Sequence, residues 1–214
     1  AFGGFYVARY EAGLPVGTTE FTGSLPAGDD EYNITGIPQS RAGVSPWNFI
    51  DWNKSKVNAE NMYNTASVKS GLITGKQWDT IMAWYKNAGI GVEASTQNWG
   101  TYRSLTYSGT GLNYTYDGSS VSSWTTGSFS HTGSSSSPYH YHASGLNSNG
   151  IKKNIADLGG NVWEWTAEVY SSNRVRRGGY AYGSASDCPA GYRGIYSTGD
   201  TSFGMGFRSV LYIQ

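Results

Sequence analysis

Asn154-Ile155-Ala156-Asp157-Leu158-Gly159-Gly160-Asn161-Val162-Trp163-Glu164-Trp165-Thr166 is the stretch on which the reading of this chain turns. Ile155, Leu158, Val162, Trp163 and Trp165 restore an apolar pattern after the Ser-, Thr-, Gly- and Tyr-dominated residues 100–148. Trp163 and Trp165 alternate about Glu164 with the period of a strand, which predicts two indoles packed in a core; stacking on a carbohydrate is the lesser alternative. Toward the C-terminus comes a basic cluster, Arg174, Arg176 and Arg177, closed by Gly178-Gly179. Arg177 is expected to tie this turn to backbone carbonyls, the glycines allowing close backbone approach; a carboxylate or phosphate clamp is the alternative. Gly206-Phe207-Arg208-Ser209-Val210-Leu211-Tyr212-Ile213 reads as a terminal strand. Between these patterned blocks lies Tyr180 to Phe203, YAYGSASDCPAGYRGIYSTGDTSF, with no periodicity of its own. Tyr supplies rigid amphipathic contact area and Ser and Gly adapt, so the mixture suits a binding loop. An ordinary Gly-rich connection is the plainer reading.

Toward the N-terminus, Phe5 to Tyr10 alternates as a strand, and residues 13–46 read as loops rich in Gly, Pro, Thr and Asp. Trp47, Ile50, Val57, Ala59 and Met62 predict a helix from Pro46 to Met62, with Ser45-Pro46 as its cap and first turn. Thr74 caps a second helix to Asn87, where Trp78, Ile81, Met82 and Tyr85 form an i, i+3, i+4, i+7 stripe. Residues 100–148 carry few long aliphatics and are expected to form long surface excursions with short strands, Ser134–Ser137 being a mobile tip. His140 and His142 flank Tyr141; on a strand they would face one way and begin a metal site, but solvated loop histidines are the expectation. The sum is an α+β chain with two helices, short antiparallel strands and much irregular structure.

The 214 residues suit one domain. Fifteen Lys plus Arg balance fifteen Asp plus Glu, which argues against nucleic acid, since that partner requires a basic face. No apolar run reaches the roughly 18 residues of a spanning helix, so no direct membrane insertion is expected. Seventeen Tyr and eight Trp must be packed or used for binding. The single Cys188 forms no internal disulfide and no Cys-rich metal cluster. No phosphate-binding Gly-rich motif and no Ser-His-Asp spacing occurs. The start at Ala1 suggests a processed chain or an excised domain with additional upstream domains.

Five blocks in order, Phe5 to Glu11, Gly71 to Trp78, Asn154 to Thr166, Arg177-Gly178-Gly179 and Gly206-Phe207-Arg208, resemble the formylglycine-generating-enzyme (sulfatase-modifying) family. The resemblance spans nearly the whole chain. It implies one C-type-lectin-like domain over 1–214 whose terminal strands pair and whose helices pack on that sheet. The family holds an oxidase and also the variable proteins of diversity-generating retroelements, whose C-terminal part carries diversified ligand-contacting residues. The oxidase uses two copper-binding cysteines that in this register fall at Gly183 and Cys188. Only one is a thiol, and a soft ion in near-linear coordination needs a pair. The expectation is therefore a binding module and not an enzyme, with a formylglycine-generating-type copper oxidase or a degenerate relative as the alternative. A structural decoration domain of a virion is a third reading.

The resemblance also implies a calcium site at Asp157, Gly160, Val162 and Glu164. The residues alone equally allow Glu164 to hold its loop through hydrogen bonds, and no cofactor is required. The candidate ligand contacts are Tyr180, Tyr182, Ser184, Ser186, Asp187, Tyr192, Arg193, Tyr196, Ser197, Asp200, Ser202 and Phe203, with the tyrosines and Arg193 as hot spots. The expected partner is a protein or glycan on a cell surface, and the expected location a phage tail or the extracellular face of a cell.

Overall fold

A computed structural model describes residues 4–18, 34–134, 136 and 138–213. Part of the loop expected over 13–46, and Ser135 and Ser137 of the expected mobile tip, lie outside them. The chain runs β1 (Tyr6–Val7), α1 (Trp52–Asn61), β2 (Val68–Leu72), α2 (Gly75–Asn87), β3 (Thr106–Tyr116), β4 (Thr125–Thr132), β5 (Tyr139–His142), β6 (Ile151–Lys152), β7 (Ile155–Ala156), β8 (Trp163–Tyr170), β9 (Asn173–Arg177), β10 (Gly194–Tyr196), β11 (Met205–Phe207) and β12 (Ser209–Ile213). It is an α+β architecture with two helices and mainly antiparallel strands.

The chain ends meet as expected. β12 lies between β1 and β2, antiparallel to both, with Val7 opposite Val210 and Ser209 opposite Leu72. A second sheet has the order β10-β9-β8-β11, in which β11 runs parallel to β8. α2 begins where Thr74 predicts: its hydroxyl accepts from Gln77 N–H while the Gln77 side chain accepts from Thr74 N–H, a reciprocal cap. Trp78, Ile81, Met82 and Tyr85 are all buried, in one cluster with Val210 and Leu158.

α1 departs from expectation. It starts at Trp52, capped by the Asp51 carboxylate accepting from Lys54 N–H at 2.7 Å, and Ser45-Pro46 is not its cap. Phe49 has φ of +50°, which no continuous right-handed helix tolerates. Trp47 and Ile50 are buried from irregular chain, while Val57 is exposed. Their helical spacing was coincidental.

Residues 100–148 depart further. In place of short strands on surface excursions they contain the 11-residue β3 and the 8-residue β4, which with the shorter β5 form a three-stranded sheet of order β4-β3-β5. Tyr107, Tyr114, Trp124, Phe129, Tyr139 and Tyr141 are buried in this region. Aromatic side chains replace the missing aliphatics: Tyr114 stacks on Tyr141 at 4.9 Å between ring centres and meets Trp124 edge-on at 4.5 Å. The histidines are not solvated. His142 is fully buried, its Nε2 within 2.9 Å of Thr101 Oγ1 and its ring stacked on Phe129; His140 is half-buried against the same ring.

The motif that opened the reading is held by charge. Arg208 and Glu164 are both fully buried; Arg208 Nε and Nη2 donate to both Glu164 oxygens at 2.6–3.1 Å. Nη1 reaches Ala8 O and Nη2 reaches Ala156 O. One guanidinium thus links the chain around β1, β7, β8 and β12. Burial, Asp157 and Glu164 together raise the Glu11 carboxyl well above its ordinary range. Glu11 accepts from Asn161 Nδ2 at 2.7 Å, which joins the N-terminal block to the central one.

Candidate ligand-binding site

The second sheet builds a floor from its strands. In the register of β8, β9 and β10, Arg176 sits opposite Trp165 on one side and Gly194 on the other. A Cβ on Gly194 would stand 3.1 Å from Arg176 Cγ and Nε, so the absent side chain lets the arginine stem lie across β10. The guanidinium is then enclosed by two rings, with Trp163 of β8 centred 4.4 Å away and Tyr196 of β10 centred 3.4 Å away. Arg176 is 8 % exposed. Its buried Nε has no hydrogen-bond partner, and burial pulls the guanidinium pKa down.

Two open cavities adjoin this floor. One, of about 440 Å³, extends toward Tyr116, Asp200, Thr201, Ser202, Phe203 and Met205. The other, of about 400 Å³, extends toward Arg103, Asp187, Cys188, Tyr192 and Ile195. Trp163, Arg176, Tyr180, Tyr182 and Tyr196 line both, so the two are compartments of one surface. Trp163 stacks on Tyr180 at 5.5 Å; Tyr182 meets Tyr116 and Tyr139 edge-on, each at 5.1 Å. The aromatic sheet of residues 106–142 therefore buttresses the candidate loop. Arg103 lies 5.4 Å from the Tyr182 ring and 3.7 Å from Asp187 Oδ2.

Of the twelve candidate contacts, Tyr180, Tyr182, Asp187, Tyr192, Tyr196, Asp200, Ser202 and Phe203 line these cavities. Ser184 does not: it is buried, and its hydroxyl accepts from Asp187 N–H at 3.1 Å and bonds Ser186 at 2.7 Å, holding a turn. Ser186 and Ser197 are exposed but line neither cavity; Ser197 N–H donates to Asp200 Oδ2. Arg193 points elsewhere. It ion-pairs with Glu168, which Arg177 also contacts at 3.1 Å, so it serves the framework and not the surface. Burial alone would raise the Glu168 carboxyl, but hydrogen bonds from Arg193 and Arg177 outweigh it and hold that pKa low. Arg177 donates to Gly191 O as expected for the turn, and also pairs with Asp79 at 3.0 Å.

Trp163, Arg176, Tyr116 and Arg103 also line the cavities and were not among the candidates. Trp163 and Arg176 belong to motifs read as framework; Trp165 is wholly core, but Trp163 also faces the surface. Tyr116 and Arg103 come from the region expected to form surface excursions with short strands. A signal for Arg176 was present: it alternates with Arg174, and Arg174 likewise lies over an indole, Trp52, at 4.2 Å.

Cys188 lies behind this surface. Its thiol donates to Ser184 O at 3.3 Å, and burial pushes its pKa up to about 11. A Cβ on Gly183 would come closer than 3.0 Å to Cys188 Sγ. The pairing of positions 183 and 188 inferred from register is real in space, but it holds one thiol. A rise of about two pKa units leaves roughly a hundredfold less thiolate at neutral pH. Dithionitrobenzoate is therefore expected to react with the native protein at least ~100-fold more slowly than with the urea-unfolded chain. Equal rates would contradict the inert-thiol assignment.

The implied calcium centre does not fit the residues present. Glu164 gives both oxygens to Arg208, so a cation there would face a guanidinium. Asp157 Oδ2 accepts from Ser144 Oγ and Gly145 N–H, leaving only a buried Oδ1 without a partner. Ca²⁺ takes six to eight oxygens, and among the described residues no group of three or more His, Cys, Asp or Glu is placed to hold a metal ion. Glu164 holds its loop through hydrogen bonds, but its donor is the Arg208 side chain.

No protein-family model and no curated protein matches this chain. Among solved structures it is similar to Treponema denticola variable protein 1, at a TM-score of 0.40 and 21 % identity over 69 % of this chain and 49 % of that one. The chain thus spans about half the length of that protein.

Proposed function

We propose that this chain is a ligand-binding module with a C-type-lectin-like architecture, of the kind found in the variable proteins of diversity-generating retroelements, and that residues 180–203 form its contact surface. The observation that carries this reading is the position of the segment's tyrosines. Tyr182, Tyr192 and Tyr196 line an open, two-compartment cavity instead of filling a core, and Tyr180 joins them from a half-buried position against the core. Aromatic side chains buttressed by the aromatics of neighbouring strands give large contact area at little ordering cost, which is what an interface hot spot needs. The partner is a protein or glycan displayed on a cell surface, and the module works outside the cell or at a virion tail.

The binding reading is favoured over a copper oxidase because position 183 is Gly and Cys188 is a buried thiol of raised pKa. Copper-dependent turnover of a cysteine peptide by the purified protein would overturn it.

The test of the surface compares the protein with a Tyr182→Ala/Tyr196→Ala variant on arrays of glycans and of cell-surface proteins. Both rings are partly or largely exposed, so the variant keeps its core. Whatever the parent captures should bind the variant at least ~10-fold more weakly; undiminished capture would move the binding face elsewhere. The diversification part has its own test in the flanking DNA. A near-copy of the segment's coding sequence, differing at template adenines beside a reverse-transcriptase gene, is expected; without it that part fails and the binding surface remains.

A further inference from the structure

Arg176 is the unusual feature of the candidate surface. It is a cation more than nine-tenths buried, its Nε lacks a partner, and among the described residues it forms no ion pair. A buried charge left unpaired is costly, so fold stability alone gives no reason to keep one there. Both faces of its guanidinium are already covered, one by Trp163 and one by Tyr196. What remains is the in-plane N–H edge, the part of arginine that matches a planar carboxylate with two parallel hydrogen bonds. The side chain lines both compartments, and because Nε is buried it is the Nη end of that edge that is placed to meet a ligand.

We infer that the ligand, on the binding reading above, presents a carboxylate carried on an aromatic or apolar group, and that Arg176 is its anchor. The rings of Tyr180, Tyr182 and Phe203 receive the apolar part, and the carboxylate neutralises the guanidinium. The carboxylates already facing the cavities are those of Asp200 and Asp187. Asp200 accepts from Ser197 N–H at 3.0 Å and Asp187 lies 3.7 Å from Arg103, so each has another partner. Both add negative potential at the rim, which selects for a ligand that can pair directly with Arg176 over one held by diffuse attraction.

The test titrates the intact protein with four probes: benzoate, its neutral isostere benzamide, tetrahedral phenyl phosphate and the sugar acid glucuronate. The readout is the Nε–H resonance of Arg176, observable in the parent protein without any substitution. Benzoate is expected to shift that resonance saturably. Benzamide should bind at least tenfold more weakly, and phenyl phosphate and glucuronate should also fall below benzoate. Arg176→Gln and Arg176→Lys lack that resonance and are titrated with benzoate by calorimetry beside the parent: Arg176→Gln should abolish binding, and Arg176→Lys, which keeps the charge but not the fork, should weaken it at least tenfold. Benzamide binding as well as benzoate, preference for the phosphate or sugar acid, or no saturable shift with benzoate would each overturn the assignment. If benzamide and benzoate bind alike and Tyr182→Ala abolishes both, the surface binds ligand and only the anionic anchor fails.

Discussion

Arg208→Met is expected to destabilise the protein by roughly 3–5 kcal/mol, the range for breaking one side of a buried ion pair. The guanidinium is fully buried and donates to Glu164, Ala8 O and Ala156 O. Methionine fills the stem's volume but leaves the Glu164 carboxylate and two carbonyls without donors. Glu11 and Asp157 are close enough to raise the electrostatic cost further. Urea denaturation at neutral pH measures the loss; a change below ~1 kcal/mol would mean that the pair contributes little beyond its packing. Arg208→Met/Glu164→Gln should recover part of the loss, because it removes the stranded charge, and the double-mutant cycle gives the coupling. The pH dependence has a definite sign. A carboxyl whose folded pKa is raised binds its proton more tightly when folded, so the folded state gains below its unfolded pKa and loses as pH rises through its folded one. Glu11 is such a group, and its contribution should fall as pH climbs from ~4.5, with a steeper fall in Arg208→Met.

How much of this was legible in the sequence depended on which physical signal each element used. α2 was legible because its cap and its apolar stripe agree, Thr74 with Gln77 and Trp78 with Ile81, Met82 and Tyr85. The pattern at each end marked a strand, while the pairing of the two came from the family resemblance. α1 was misjudged because burial, not helicity, set the spacing of Trp47 and Ile50, and nothing local announces the positive φ at Phe49. The sheet of β3, β4 and β5 was missed because its core is made of Tyr, Trp and Phe among Ser, Thr and Gly. Such aromatics, set within a polar composition, look like surface until a partner strand stacks on them.

The candidate site was half legible for a related reason. A contrast between periodic flanks and an aperiodic segment finds loops, and it found Tyr180 to Phe203. It cannot find floor residues that sit inside the periodic flanks. Trp163 and Arg176 are both strand residues with a core duty and an exposed edge, and sequence pattern records only the first. Arg193 failed in the opposite direction. Within a loop, an arginine facing ligand and one facing Glu168 read alike until the strand bearing Glu168 is placed beside it.

Among the contacts that place the loop, the close approach of Gly179 to the Cys188 carbonyl yields the second large expected effect. Gly179→Ala should cost roughly 3 kcal/mol or more and should also displace the binding segment. Gly179 has φ of +75°, a region an L side chain enters only with strain. A Cβ there would lie closer than 3.0 Å to Cys188 O and to a Tyr102 ring carbon. Tyr102 cannot yield easily: it is fully buried and its hydroxyl donates to Gly178 O at 2.5 Å. The carbonyl belongs to the very turn that carries Ser184 to Cys188, so relief of the clash moves that turn and with it Asp187 and the Cys188 wall of the second cavity. Gly199→Ala is the control within the same segment. That residue is exposed, has no positive φ, and an added Cβ meets nothing within 4 Å. It should change stability by less than ~0.5 kcal/mol. Urea denaturation of the two variants, with the benzoate titration as a second readout, separates strain from ordinary Gly-to-Ala entropy, which would act at both positions with the same sign. Comparable stability in the two variants would show that the turn at 184–188 gives way freely, and that the framework does not fix the loop at Gly179.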